Sequence, residues 1–518
     1  MRPIRLLPAF LTVGSWTMLS RVLGLARDVL MAAFLGTGPV AQAFLIAFTL
    51  PNMFRRFFAE GAFNMAFVPI FAKKVEAGED PLGFARDAFS ALASFLIGFT
   101  LLAQLAMPWL VLAMASGFAG DERYDLSVFY GRIAFPYILF ISLTALLSGV
   151  LNALGRFSEA AAAPILMNVV MITFLLAGYW SGGDVGLWQI WSVPVAGVAQ
   201  FALVWWGASR AGFRLVPRLP RLTPDIRRLA MVGAPALLTG GVVQINLLVG
   251  RQVGSFFDGA VAWLSYADRL YQLPLGVVGV AIGVVLLPDL SRRLRADDVS
   301  GARNAANRAT ELTLALTVPA ALALLVIPAP IVSVLFERGE FSASDTAATA
   351  IAVMIYGAGL PAFVLQKVYM PMYYAREDSR TPLRFTIHAM IVNAVAAIAL
   401  APFLGFSAAA LGTTLAGWTM LFQLWNGTRA MGEAARWDAG IKRAAPRIVL
   451  ASVLMAIALI GLQYLMADLL ADAVWRYGAL FLLVAAGGAI YLGAAIAVRA
   501  LVPSELKRLL RRNSASSA

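Results

Sequence analysis

Long apolar stretches, interrupted at intervals by short polar connections, run along almost the whole chain. Each is a continuous hydrophobic run with no strict in-and-out alternation, which predicts helices and not barrel strands. A helix that crosses the hydrocarbon core needs about 20 mainly apolar residues. Fourteen segments meet that length: 8–35, 40–72, 88–116, 127–154, 160–181, 186–209, 228–256, 260–290, 309–336, 346–374, 383–403, 407–428, 446–467 and 476–500. Fourteen is even, so both ends of the chain are expected on one side. The expected fold class is an all-α polytopic membrane protein.

Composition agrees. The 518 residues are 60% hydrophobic and 13% charged, with a mean hydropathy of +0.79. A soluble domain is roughly 45–50% apolar and about 25% charged, so too few polar side chains remain to cover a soluble surface. The N-terminus resembles a signal peptide, with Arg2 and Arg5 before an apolar run. Ser20-Arg21 interrupts that run and no small-residue cleavage site follows, so it reads as a retained first span. There is no cysteine, which excludes disulfides and thiolate chemistry. The single histidine, His388, lies in an apolar stretch and reads as a packing residue.

Lys and Arg total 41 against 28 Asp and Glu, a net charge of +13. Sorted by connection, 30 of the 41 fall on the N-terminal side, among them Lys73, Lys74, Arg218, Arg292, Arg293, Arg380 and Arg443. Only Arg123, Arg338 and Arg476 fall on the other. That bias holds its phase across the chain and predicts a cytoplasmic N-terminus. It leaves no surplus that calls for nucleic acid.

Residues 62–69 followed by Lys73-Lys74 align without gaps with 281–288 followed by Arg292-Arg293, at an offset of 219. Arg156 and Arg376, 220 apart, are each followed within eight residues by a proline. An offset of six segments keeps both halves in one orientation, which is a parallel repeat. The stretch from Arg214 to Asp225 is too rich in Pro and Arg to span, and Thr223-Pro224 suits a helix cap and first position. The expected organisation is a six-helix lobe over 1–211, a basic cytoplasmic linker over 212–227 and a second six-helix lobe over 228–430. Two appended helices over 431–502 and a cytoplasmic tail over 503–518 complete it.

Eight basic residues remain inside the segments: Arg21, Arg27, Arg55, Arg56, Arg132, Arg251, Arg269 and Lys367. Each costs roughly 2.5–3.5 kcal/mol at the bilayer centre on insertion scales, so they must pair, snorkel or line a wet cavity. Asp28, Glu60 and Asp268 are the clear acidic counterparts. Arg21 and Asp28, seven apart, share a helix face with Gly24 between them, and Arg56 with Glu60 forms an i,i+4 pair. Pro51 precedes Arg55 by four residues and is expected to break the helix there; Pro274 follows Asp268 and Arg269. For Arg21, Arg55 and Arg269 a substrate or gating role outweighs structural pairing, whereas Arg132, Arg251 and Lys367 divide evenly.

A cationic interior favours an anionic ligand, and arginine suits phosphate. An exporter of cationic drugs would need carboxylates instead. No H-E-x-x-H, Walker A, nucleophile elbow or Asp-rich cluster is present, so no enzyme, metal or cofactor is expected. A membrane-embedded phosphotransferase is a minor alternative.

Ser20-Arg-Val-Leu-Gly-Leu-Ala-Arg-Asp28, Leu50 through Phe63 (LPNMFRRFFAEGAF) and Tyr266-Ala-Asp-Arg-Leu270 together resemble the MurJ (MviN) family. Phe336 through Phe341 (FERGEF) and Tyr374 through Pro382 (YAREDSRTP) extend the match nearly end to end. The resemblance implies the fold of the multidrug/oligosaccharidyl-lipid/polysaccharide exporters and the flipping of lipid II from the inner to the outer leaflet for peptidoglycan synthesis. It assigns Arg21, Arg27, Arg55 and Arg269 to the pyrophosphate head group, and Asp28 and Glu60 to gating pairs; Arg56 and Asp268 are ion-pair candidates from their positions beside Glu60 and Arg269. Lys367, Arg251, Gln42 and Gln272 are accessory candidates; the two glutamines stand where some relatives have acids. The appended helices become a groove for the lipid tail. Some relatives bind sodium, but the ligands are not matched here. Lipid II, membrane lipids and cell-wall synthesis proteins are the implied partners, in a bacterial inner membrane. A flippase for another polyprenyl-linked glycan and a non-transporting cell-wall scaffold are the alternatives.

Overall fold

Apolar runs of this length satisfy their own backbone only as helices when no water is at hand, and all regular structure among the described residues is helical. The computed structural model describes the backbone of residues 6–56 and 64–500, and the side chains of these except 6–13, 64–65, 233–247, 277–285 and 434. Nine helical stretches among the described residues are long and apolar enough to cross a membrane. The chain forms two compact units, one up to Ala262 with Arg338–Ser342, the other Trp263–Glu337 and the chain from Ala343 onward.

The first unit contains α1 (Leu6–Leu35), α2 (Pro39–Arg55), α3 (Asn64–Ala77), α4 (Pro81–Ala115), α5 (Glu122–Ala134), α6 (Tyr137–Ala153), α7 (Ser158–Trp180), α8 (Val185–Arg210) and α9 (Pro224–Gly254). Helix α1 packs on α7, α2 on α5, α6 and α7 on α8, and α4 on α9. Its core includes Ile46, Leu50, Phe67, Phe71, Phe84, Phe89 and Phe135, with Phe67 stacked on both Phe71 and Phe84. The segment between α8 and α9 is neither helix nor strand. It is strapped down by Arg218, whose Nε and Nη2 donate to Asp87 on α4 while its main-chain N–H donates to Ser90. Thr223 caps α9 through the Ile226 N–H and Pro224 opens it, as their sequence suggested.

The second unit holds α10 (Ala260–Arg295, whose first three residues belong to the first unit), α11 (Val299–Val326), α12 (Pro328–Phe336) and α13 (Ala343–Tyr374). It continues with α14 (Arg380–Leu404), α15 (Ser407–Thr428), α16 (Ala439–Leu465), α17 (Ala467–Ala471) and α18 (Arg476–Ala497). Helices α13 and α15 exchange donors: Thr414 and Trp418 donate to the carbonyls of Ile355 and Ala358, and Gln366 and Tyr373 to those of Gly417 and Leu424. Pro361, which cannot donate to the helix ladder, lies amid these bonds. Helices α16 and α18 pack on each other, and α16 on α11, around Ile448, Met455, Leu459, Leu483 and Tyr491. The chain leading into α16 is held by buried Asn307 of α11. Its Nδ2 donates to the Arg436 carbonyl and its Oδ1 accepts from the Asp438 N–H, while Arg308 grips the Asp438 carboxylate at 2.9 Å.

Three local expectations change. Pro51 does not end its helix: α2 runs through it to Arg55 and takes a wider π turn at Arg56. One missing donor is tolerated where neighbours pack on both sides. The segment expected over 309–336 starts earlier, at Val299, and divides at Ile327 into α11 and α12, where Pro328 restarts the helix. Third, His388 is exposed on α14, its Nδ1 3.3 Å from Gln423 Nε2, and is not packed in a core. The tail expected over 503–518 lies outside the described residues.

A candidate anion site on helix α1

The arginines at 21 and 27 sit on α1, which faces α7. Long helical side chains lean back toward the N-terminus, so the Arg27 guanidinium returns along α1 into that contact. It is buried there, 6% exposed, with Asp28 equally enclosed at 4%. Nε and Nη2 of Arg27 both donate to Asp28 Oδ1, at 3.0 and 2.6 Å. Nη1 donates to Asn168 Oδ1 of α7 at 3.2 Å and lies 3.5 Å from Met171 Sδ. Asp28 thus pairs with its sequence neighbour. Gly24, between the two arginines, is approached by the Asn168 carboxamide. Arg21 is half-buried on the same helix.

Arg55 closes α2 and is half-buried, next to Phe54, whose ring lies edge-on to Phe99 and Phe135. Arg56 is exposed. Its expected partner Glu60 lies outside the described residues. Arg251, half-buried, occupies the last turn of α9. Arg132 is exposed on α5 and forms no ion pair among the described residues.

Gln42 belongs to a different cluster. Its Oε1 lies 3.5 Å from Nη1 of Arg123, a buried residue at the start of α5. Arg123 also meets Asp121 at 2.5 Å and Asp258 at 3.0 Å, and stacks 4.5 Å over Phe118. Burial pushes the Asp121 carboxyl up, and the hydrogen bonds and charge of Arg123 outweigh it, leaving the group below its usual value. Sequence reasoning had placed Arg123 in a connection and missed this hub. The signal available was an Asp-Glu-Arg run at a helix start.

In the second unit, Asp268 and Gln272 are one turn apart on α10 and hydrogen-bonded, Gln272 Nε2 donating to the Asp268 carboxylate. Arg269 is exposed on the same helix. Lys367 is exposed on α13 and makes no ion pair among the described residues. No group of His, Cys, Asp or Glu suited to a metal ion occurs among the described residues. What the clusters offer chemically is guanidinium forks beside carboxylates, groups that make strong charge-assisted hydrogen bonds.

The family model for the lipid II flippase MurJ matches residues 31–486. The chain belongs to the MurJ family. A probable lipid II flippase MurJ of Rhizobium tropici is 43% identical over 523 residues, covering 99% of this chain and 98% of the relative. The lipid II flippase MurJ of Burkholderia cenocepacia is 35% identical, with 83% of this chain and 85% of the relative covered. Among solved structures, a lipid II flippase MurJ in an inward closed conformation matches with a TM-score of 0.79 at 24% identity, covering 94% of this chain and 98% of that one. A multidrug resistance MATE transporter of the MOP superfamily, inward-facing, matches at 0.65 and 16% identity over 80% of this chain and 95% of that one. These two likenesses establish a shared transporter fold, as the motifs implied. In this MurJ family chain, Ser20 through Asp28 lies on α1 and carries Arg21, Arg27 and Asp28. Tyr374 through Pro382 forms the turn between α13 and α14, where the Asp378 carboxylate accepts from the Thr381 N–H at 3.0 Å. Asn168 carries no family motif and was not singled out. Its only signal was a lone amide inside an apolar run, a type that tends to be functional in a membrane.

Proposed function

We propose that this protein flips lipid II, the undecaprenyl-pyrophosphate-linked disaccharide-pentapeptide, from the inner to the outer leaflet of a bacterial inner membrane. The observation that carries the reading is 43% identity across nearly the full length to a MurJ relative, together with the arginines held on α1. Lipid II is moved and not transformed, so no catalytic residue is assigned. Arg21, Arg27, Arg55 and Arg269 bind the pyrophosphate; Asp28, Glu60, Arg56 and Asp268 exchange ion pairs as access alternates. Lys367, Arg251, Gln42 and Gln272 are accessory. Two six-helix halves, 1–211 and 228–430 about the 212–227 linker, rock to alternate access, and the helices of 431–502 hold the lipid tail. Both termini are cytoplasmic, in keeping with the basic connections, and cell-wall synthesis proteins are the natural neighbours.

A guanidinium contact with pyrophosphate is strong because it is charge-assisted and bidentate. Alanine at Arg269 removes it without disturbing a core, since the side chain is exposed. The test is a leaflet-resolved assay of lipid II in cells depleted of their own flippase. The parent protein restores outward lipid II and growth, and Arg269→Ala fails to do so while still inserting. Restoration by the alanine variant overturns the site. No lipid II movement by the parent, with movement of another polyprenyl-linked glycan, overturns the substrate.

A further inference from the structure

Asn168 lies in an apolar stretch of α7 and is 6% exposed. Its side chain spends both of its halves on α1. The oxygen accepts from Arg27 Nη1 at 3.2 Å. The nitrogen donates to the main-chain carbonyl of Ser20 at 3.0 Å, with the Ser20 hydroxyl at 3.4 Å and the Pro164 carbonyl at 3.2 Å. Ser20 and Arg27 are two helical turns apart, and the length of the arginine closes the gap. Gly24 lies between them beside the amide, where a Cβ would make ordinary van der Waals contact at 3.7 and 3.8 Å from its nitrogen and oxygen.

The grip is specific to an amide. Asp28 supplies the charge partner for Arg27 through Nε and Nη2, and leaves Nη1 to be directed by a neutral acceptor. An aspartate at 168 would accept from Arg27, cancel more of its charge and have nothing to donate to Ser20. A leucine would fill the volume and do neither. Ser20 directly precedes Arg21, so holding its carbonyl sets the rotation of α1 at the first arginine while Arg27 is held at the second.

We propose that Asn168 is a positioning residue of the anion site, fixing the guanidinium of Arg27 and the heading of Arg21 toward the pyrophosphate. This rests on the reading of those arginines as head-group ligands. The full-length protein in nanodiscs is titrated with undecaprenyl pyrophosphate and, as a control, with undecaprenol, which lacks the anion. Asn168→Leu is expected to weaken pyrophosphate binding about tenfold and leave undecaprenol binding unchanged. Arg27→Lys weakens it at least as much, and the double variant loses clearly less than the product of the two single losses, because the part of the Asn168 effect that runs through Arg27 is already gone. Asn168→Leu binding within about twofold of the parent, with Arg27→Lys weakened, overturns the role of Asn168 alone. Fully multiplicative losses overturn it too. If Arg27→Lys folds and binds unchanged, the reading of Arg27 as a ligand fails first. Should Asn168→Leu not fold, the charge-neutral Asn168→Ala carries the test: selective loss of the pyrophosphate supports positioning, and equal loss of both ligands overturns it.

Discussion

The hydroxyl of Tyr491 donates to the main-chain carbonyl of Ala315 at 2.6 Å, and both residues are buried. The bond ties α18 to α11 where no water can replace it. Phenylalanine keeps the ring and removes only the donor. Tyr491→Phe is expected to cost about 0.5–2 kcal/mol, since membrane hydrogen bonds measure smaller than their setting suggests. A thermal unfolding midpoint in detergent reads this directly, and an unshifted midpoint would mean that the bond has no net weight.

Gly339 has φ +56 and abuts the carbonyl of Ala33 so closely that a Cβ would overlap it. The next residue, Glu340, donates its N–H to the same carbonyl at 2.9 Å. Gly182 has a similar φ, +65, with open space around it. Alanine at either position carries the left-handed penalty of about 1–2 kcal/mol. Gly339→Ala should lower the midpoint further than Gly182→Ala, because it adds the overlap. Equal shifts would show the close approach to be immaterial.

Arg123 is buried while its partner Asp258 is almost wholly exposed, 96% at the side chain. The two ends of this pair are therefore unequal. Arg123→Met should cost about 1–3 kcal/mol through lost charge-assisted bonds to Asp121 and to Gln42. Asp258→Asn should leave stability unchanged, since an exposed carboxylate is well solvated. Comparable losses from both variants would contradict this.

Burial pushes the Asp438 carboxyl up from its usual 3.8, and the Ile441 N–H with the Arg308 guanidinium overcomes it and holds the group lower. A folded value below the unfolded one contributes stability that is present above 3.8 and lost as pH falls through the folded value. The docking of the segment before α16 on α11 should loosen in that acid range. Asp438→Asn should flatten this part of the pH–stability curve, and an identical acid slope in parent and variant would count against it.

The helical character and the α9 cap were legible because both follow from local composition: a long apolar run, then Thr-Pro before a helix. The cluster on α1 was legible only in part. Arg27 and Asp28 stood in the sequence, but their pairing depends on which way two rotamers turn. Asn168 stands 141 residues beyond Arg27, and nothing in its neighbourhood names α1 as its partner. Lys367 and Arg132 are both exposed and form no ion pair among the described residues, which leaves snorkelling or a wet cavity of the three options that the sequence offers a basic residue in an apolar run. The π turn after Pro51 was hidden because packing, not propensity, decides how a helix absorbs a missing donor.

The reciprocal bonds between α13 and α15 bear on motion. A proline in a lone helix is a soft joint, and a bilayer offers no solvent to patch the gap. Here the adjoining helix works as a splint: two donors cross in one direction and two in the other, spaced along the length around Pro361. Bending α13 at that joint requires shearing its neighbour as well. The two helices should behave as a single stiff plate, so whatever flexing transport demands of this unit must be found at other seams.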